Sequence, residues 1–127
     1  MGFLIVFLGS GIGGACRYGV GVVAMRLFGP AAASLGTFAI NVFGSFLMAV
    51  IAEYFALRSG LSASWRLFLT TGIIGGFTTF STFSLDAITL YQRGHFGWSS
   101  AYVIGSVAVS LAAFFLGLAA IRTLLAP

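Results

Sequence analysis

Charge is what this sequence has least of. Its 127 residues include six arginines, no lysine and two carboxylates, Glu53 and Asp86, so only 6% of the chain is charged. Soluble proteins carry roughly a quarter, and so few charges cannot solvate the surface of a water-soluble domain. Disorder fails for the opposite reason: at 60% hydrophobic the chain is too apolar to stay open in water. Cys16 is the single cysteine, which excludes an intrachain disulfide scaffold. The arginines stand apart at positions 17, 26, 58, 66, 93 and 122, so the basic block that tracks nucleic-acid phosphates is missing. Catalytic parts are equally scarce. The lone His95 falls in a connection, no hydroxyl has a base within reach, and no ligand set for a hydrolytic metal is present. An enzyme is not expected. The solvent has to be lipid.

A helix that crosses the hydrocarbon core needs about 20 mostly apolar residues. Charge-free stretches at 27–52, 67–85 and 94–121 meet that need, and 1–25 joins them if Arg17 is accepted inside a span. The pattern predicts an all-α membrane protein of four transmembrane helices, near 2–26, 35–57, 66–90 and 98–121, forming one domain over 1–127. Phe28-Gly29-Pro30, Ser59-Gly60 and Arg93-Gly94 mark the connections. The first segment lacks a basic leader and a cleavage pattern, which predicts a retained helix. With four spans, both termini share a side with the 58–66 loop, which sets Arg58, Arg66 and Arg122 against Arg26 and Arg93. That is a weak positive-inside signal. Taken alone it favours ordinary insertion at low bias, with two oppositely inserted copies pairing as an antiparallel dimer as the alternative.

Eighteen glycines are present, several at small-xxx-small spacing: Gly9 to Gly13, Ser10 to Gly14, Ala15 to Gly19 and Gly72 to Gly76. Such spacing lets helix backbones approach in lipid, where no hydrophobic force draws helices together. Gly75-Gly76 stands out because it precedes Phe77 and a run, Thr78 to Ser84, in which five of seven residues carry hydroxyls. Two glycines cost a helix roughly 1 kcal/mol each, so a discontinuous third helix is expected, with Ser and Thr bonding back to their own helix as the alternative. Non-helical backbone at bilayer depth must be buried in protein or line a cavity, and its freed carbonyls can hold a cation.

Phe80 and Phe83 fall three apart, on one face if helix resumes there. Aromatics in spans serve as packing or belt residues, and less often turn the positive ring edge toward an anion. Thr37, Asn41 and Ser45 share a face in the second span, as do Tyr102, Ser106 and Ser110 in the fourth. Each stripe either bonds a neighbouring helix or lines a polar path. Glu53 and Asp86 lie toward span ends, so no central carboxylate is available for proton coupling. Neutral donors plus Arg17, partway along the first span, suit a small anion.

These residues resemble the Fluc (CrcB) fluoride channels over nearly the whole chain. The likeness rests on Gly13-Gly14-Ala15-Cys16-Arg17-Tyr18, on Gly36-Thr37 through Asn41 and Gly44-Ser45, on Gly75-Gly76-Phe77-Thr78-Thr79-Phe80-Ser81-Thr82-Phe83-Ser84, and on Tyr102 with Ser106. The third motif is the most specific. The resemblance implies an antiparallel, dual-topology homodimer with two pores in the cell inner membrane, passively exporting fluoride and so conferring fluoride resistance. It implies a structural Na⁺ at the dimer centre on backbone carbonyls matching Gly75 and Thr78. It implies Phe80 and Phe83 as ring-edge ligands, with Asn41, Ser81, Thr82, Tyr102, Ser106 and Ser110 along the fluoride path and Arg17 at the vestibule. Two departures are visible: Asp86 stands where the family usually has Glu, and Ala49 where it often has Gly. Two other readings stay on the table. A small dual-topology multidrug antiporter would need a carboxylate in the first span, where this chain has Arg17. A non-transporting assembly subunit would explain the glycines but not the aligned polar stripes.

Overall fold

A computed structural model describes residues 1–58 and 60–126. Ser59, one of the two residues marking the second connection, lies outside the described residues. Among the described residues all regular structure is helical. Helix α1 (Gly2–Phe28) leads through a 3₁₀ turn (Pro30–Ala32) into α2 (Ala33–Leu57). The third span is assembled from α3 (Ala63–Leu67), a π-helical turn (Phe68–Ile74), α4 (Gly75–Phe77) and α5 (Phe80–Gln92). Helix α6 (Phe96–Leu125) closes the bundle. Four segments, Gly2–Phe28, Pro30–Leu57, Ala63–Gln92 and Phe96–Leu125, are long and apolar enough to cross a bilayer. Each extends the sequence-predicted span by a few residues. The chain is a multi-pass membrane protein.

The connections follow from local chemistry. Gly29 takes φ 82° and its N–H returns to the Met25 carbonyl at 2.9 Å, ending α1; Pro30, with φ already fixed, opens the next turn. Gly94, at φ 80°, turns α5 into α6 in the same way.

Close glycine contact sets how α1 meets the third span. A Cβ added to Gly9 would come within 2.8 Å of Gly72 Cα and the Phe68 carbonyl oxygen, and one on Gly76 within 2.6 Å of the Ser10 carbonyl oxygen. At Gly13 the Ile73 carbonyl oxygen would be struck directly. All of these are backbone atoms, which cannot step aside as a flexible side chain would. The wide π turn is what presents Gly72 and Gly76 to α1. At its mouth the Thr70 hydroxyl donates to the Arg66 carbonyl at 2.8 Å and competes with the regular helical bond. By contrast, Gly14 and Gly19 face open space, so of the Ser10–Gly14 pair only Ser10 makes such a contact within the chain. Helix α2 packs along α6 through a second close approach, with Gly117 against the Phe46 carbonyl and the fully buried Ala49.

Between α4 and α5 the backbone of two residues is extended: Thr78 at φ −75°, ψ 161° and Thr79 at φ −155°, ψ 118°. Thr78 N–H closes α4 on the Ile74 carbonyl, and its hydroxyl donates to the same oxygen at 3.1 Å. The Thr79 hydroxyl oxygen accepts the Thr82 N–H at 3.2 Å and so caps the start of α5.

Candidate functional site

The extended pair is fastened to α2 by one side chain. Asn41 Nδ2 donates to the Thr79 carbonyl at 2.9 Å, and the Thr79 N–H donates to Asn41 Oδ1 at 2.8 Å. This two-way clasp satisfies a backbone donor and acceptor that no helix serves, which is the condition for irregular backbone in a span. Gly44, one turn further along α2, leaves room for the Thr78 methyl group, with which any added Cβ would collide. An asparagine that is costly in an apolar helix is thereby explained by the backbone it holds.

Beside this clasp lies an open groove of about 380 Å³ between α2, the Thr78–Phe83 stretch and α6. Asn41, Ser45, Thr78, Thr79, Ser106 and Ser110 supply its polar lining, and Phe80, Phe83, Phe114, Ile74, Met48, Val107 and Gly44 its apolar one. Among the described residues, no carboxylate, imidazole or guanidinium lines it. Phe80 is 77% exposed on the rim while Phe83 is buried, their ring centroids 5.5 Å apart at 49°. Phe83 in turn stacks obliquely on Tyr102 at 5.4 Å. The Ser106 hydroxyl is buried and has no hydrogen-bond partner among the described residues. Such a group forfeits roughly 1–3 kcal/mol of hydration unless something else meets it.

The structure therefore gathers Asn41, Phe80, Phe83, Ser106 and Ser110 from the sequence-derived set into one groove, with Thr78. The rest sit around it. Ser81 and Thr82 hydroxyls are turned to Thr79 Oγ1, at 3.3 and 3.0 Å. The Tyr102 hydroxyl donates to Asp86 Oδ2 at 3.2 Å, tying α6 to α5. Arg17 Nη1 donates to the Thr78 carbonyl at 3.3 Å, reaching the extended backbone from the α1 side. Thr37, of the second-span stripe, bonds back to its own helix at the Ala33 carbonyl. Gly75 is exposed.

Thr79, Met48 and Phe114 belong to the site without having been singled out from sequence. For Thr79 a signal existed: an Asn in an apolar span needs a donor and an acceptor together, and non-helical backbone three residues past a Gly-Gly pair offers both. Met48 and Phe114 carried none, being apolar residues in apolar helices.

Comparison with known proteins identifies the family. The family model described as "CrcB-like protein, Camphor Resistance (CrcB)" matches residues 4–118. A protein of Granulibacter bethesdensis named "Fluoride-specific ion channel FluC" is 50% identical over 98% of this chain and 98% of its own length. Proteins of the same name from Methylobacterium nodulans and Rhodopseudomonas palustris are 53% and 52% identical, covering 94% and 98% of this chain and 94% and 99% of their own lengths. A match running through all four spans and every wall of the groove shows that the chain belongs to the CrcB family.

Proposed function

We propose that this protein is a fluoride-selective channel of the inner membrane, passive and not enzymatic, with the groove beside Asn41 as its ion path. The observation that carries the reading is the buried Ser106 hydroxyl left without a partner in a groove whose other polar groups are neutral. Its relatives' names point the same way. Fluoride is small and tightly hydrated, so a path must replace its water with several close donors while avoiding a full positive charge that would trap it. Ser106 and Ser110 offer O–H groups, the second Asn41 amide hydrogen remains free of Thr79, and the edges of Phe80 and Phe83 offer weak positive character. With no titratable group in the lining, passage has no proton to couple to. Fluoride accumulates in the cytoplasm when its weak acid enters and ionises, so a passive path runs outward. Ser81, Thr82, Tyr102 and Arg17 act here by positioning: they brace Thr79, Asp86 and Thr78.

The working unit in this reading is an antiparallel homodimer, each chain a single four-helix domain and the third span a functionally broken helix. Support comes from the incompleteness of one copy. The groove is open, Phe80 stands on its rim, and the arginines are split nearly evenly between the two ends. A structural Na⁺ at Gly75 and Thr78 fits the donor chemistry. In a continuous helix the Gly75 carbonyl would accept from Thr79 N–H, which here goes to Asn41. Thr78, followed by the extended residue, likewise loses the Thr82 N–H to the Thr79 hydroxyl; its carbonyl accepts Arg17 Nη1 at 3.3 Å and would offer an ion only its second lone pair. Two carbonyl oxygens per chain make a four-oxygen set only with a second copy, and such oxygens favour a hard cation. When bound, the ion would hold two chains together at the extended backbone.

The test is efflux of fluoride from liposomes, followed with a fluoride electrode. Flux is expected with wild type and absent with Phe80→Ile, while both proteins elute as dimers; equal flux from the variant would reject Phe80 as part of the path. Replacing Na⁺ by a larger monovalent cation during purification is expected to lower the dimer's melting temperature, and indifference to the cation would reject the carbonyl site.

A further inference from the structure

A second groove lies at the end of the bundle where α2 and α6 finish and the third span begins. Its volume is about 350 Å³, and Val50, Tyr54, Phe55, Leu61, Trp65 and Leu69 form most of its wall. The lining is almost wholly apolar, and Trp65 and Tyr54 have the amphipathic character of residues that sit where hydrocarbon meets headgroups. Two cations border it in sequence: Arg58, directly after α2, and Arg66, next to Trp65 in α3. Both are exposed, and neither forms an ion pair among the described residues. Arg122, at the same end, is occupied by Glu53 at 2.6 Å.

We infer that this groove is a binding site for an anionic phospholipid of the surrounding bilayer, one acyl chain lying in the groove and the headgroup phosphate meeting Arg58 and Arg66. Charge decides against a second copy of this chain as the occupant. The sequence has two side-chain carboxylates: Glu53 is paired with Arg122 and Asp86 accepts from Tyr102. A second copy would bring six arginines against two carboxylates and so add more charge of the same sign than it removes. An anionic headgroup supplies the missing sign, and basic sites beside transmembrane helices recruit such lipids. The inference is independent of what the first groove conducts.

The site can be read through Trp65, because the chain has only two tryptophans and Trp98→Phe removes the other. This single-tryptophan protein is placed in vesicles of equal parts phosphatidylcholine and phosphatidylglycerol, with acyl bromines on one lipid or the other as quenchers. Brominated phosphatidylglycerol is expected to quench Trp65 with an apparent preference of about fivefold over brominated phosphatidylcholine, the scale of one basic residue at an anionic surface. The preference should vanish in R58Q/R66Q, and in Val50→Phe, which fills the groove. Should the double variant fail to fold, the Trp98→Phe protein in detergent decides: its Trp65 emission must shift on adding unbrominated phosphatidylglycerol and not on adding unbrominated phosphatidylcholine. Equal quenching by both lipids overturns the site. So does the same preference at Trp98 in a Trp65→Phe protein, which would mark a diffuse surface effect. Preference surviving Val50→Phe removes the acyl groove, and no quenching by either lipid means that protein covers it.

Discussion

The two halves of the third span are held by different forces. From Phe68 to Phe77 the chain is pressed onto α1 backbone against backbone, Gly72 on Gly9 and Gly76 on Ser10. Past that point it is held by directed hydrogen bonds: Thr79 to Asn41 on α2, Asp86 to Tyr102 and the Ala87 carbonyl to Ser99 on α6. The first half has no tolerance for volume and little interest in polarity. The second faces a groove, with Phe80 77% exposed, and depends on which atoms donate and accept. Shape is fixed in one half and ion chemistry in the other. Lipid makes both necessary, since helices there associate by contact and hydrogen bonding alone.

The contrast can be broken most severely from the packed side. Gly13→Val is expected to destabilise the fold by more than about 3 kcal/mol, because overpacking that meets backbone has no side chain to move. Little folded protein should elute from a sizing column in detergent. Asn41→Asp comes next. It removes the amide donor to Thr79 and sets a carboxylate against a carbonyl, a loss of about 2 kcal/mol, and it places negative charge on the proposed path. Fluoride efflux should cease while dimer is still recovered. Phe80→Ile sharpens the distinction, since an exposed ring contributes little to folding: efflux should be lost with a stability change within about 0.5 kcal/mol. Ser106→Ala is the smallest and the most discriminating. Deleting a buried hydroxyl that has no partner should leave stability unchanged or raise it by about 1 kcal/mol, while efflux falls. A drop in stability there would mean that Ser106 serves a helix contact.

Much of this division was legible in residue order, and what was missed has a physical cause. Four spans follow from charge spacing alone, because a single misplaced charge in lipid is expensive. Gly9, Gly13, Gly72 and Gly76 announced close packing, but their spacing could not tell them from Gly14 and Gly19, which meet nothing within the chain. Small-residue spacing records which backbones can approach, not which do. In the groove, Asn41 and the two polar stripes were visible as polar residues out of place. Their partners were not, because hydrogen bonds across spans join positions 38 residues apart, as Asn41 and Thr79 do. Tyr102 and Ser106 share a stripe yet diverge in the fold, one bonded to Asp86 and the other left unpaired. That difference depends on the facing helix, and the π turn that sets its register leaves no clear mark in sequence.

The central claim is that a path lined by neutral donors passes fluoride alone, with no proton moving alongside. It is tested by loading liposomes with potassium fluoride, removing any pH gradient, and recording external fluoride and pH before and after adding valinomycin. The account predicts efflux that waits for valinomycin to carry compensating K⁺ and leaves pH unchanged. Release that proceeds without valinomycin, with one proton appearing for each fluoride, would contradict it.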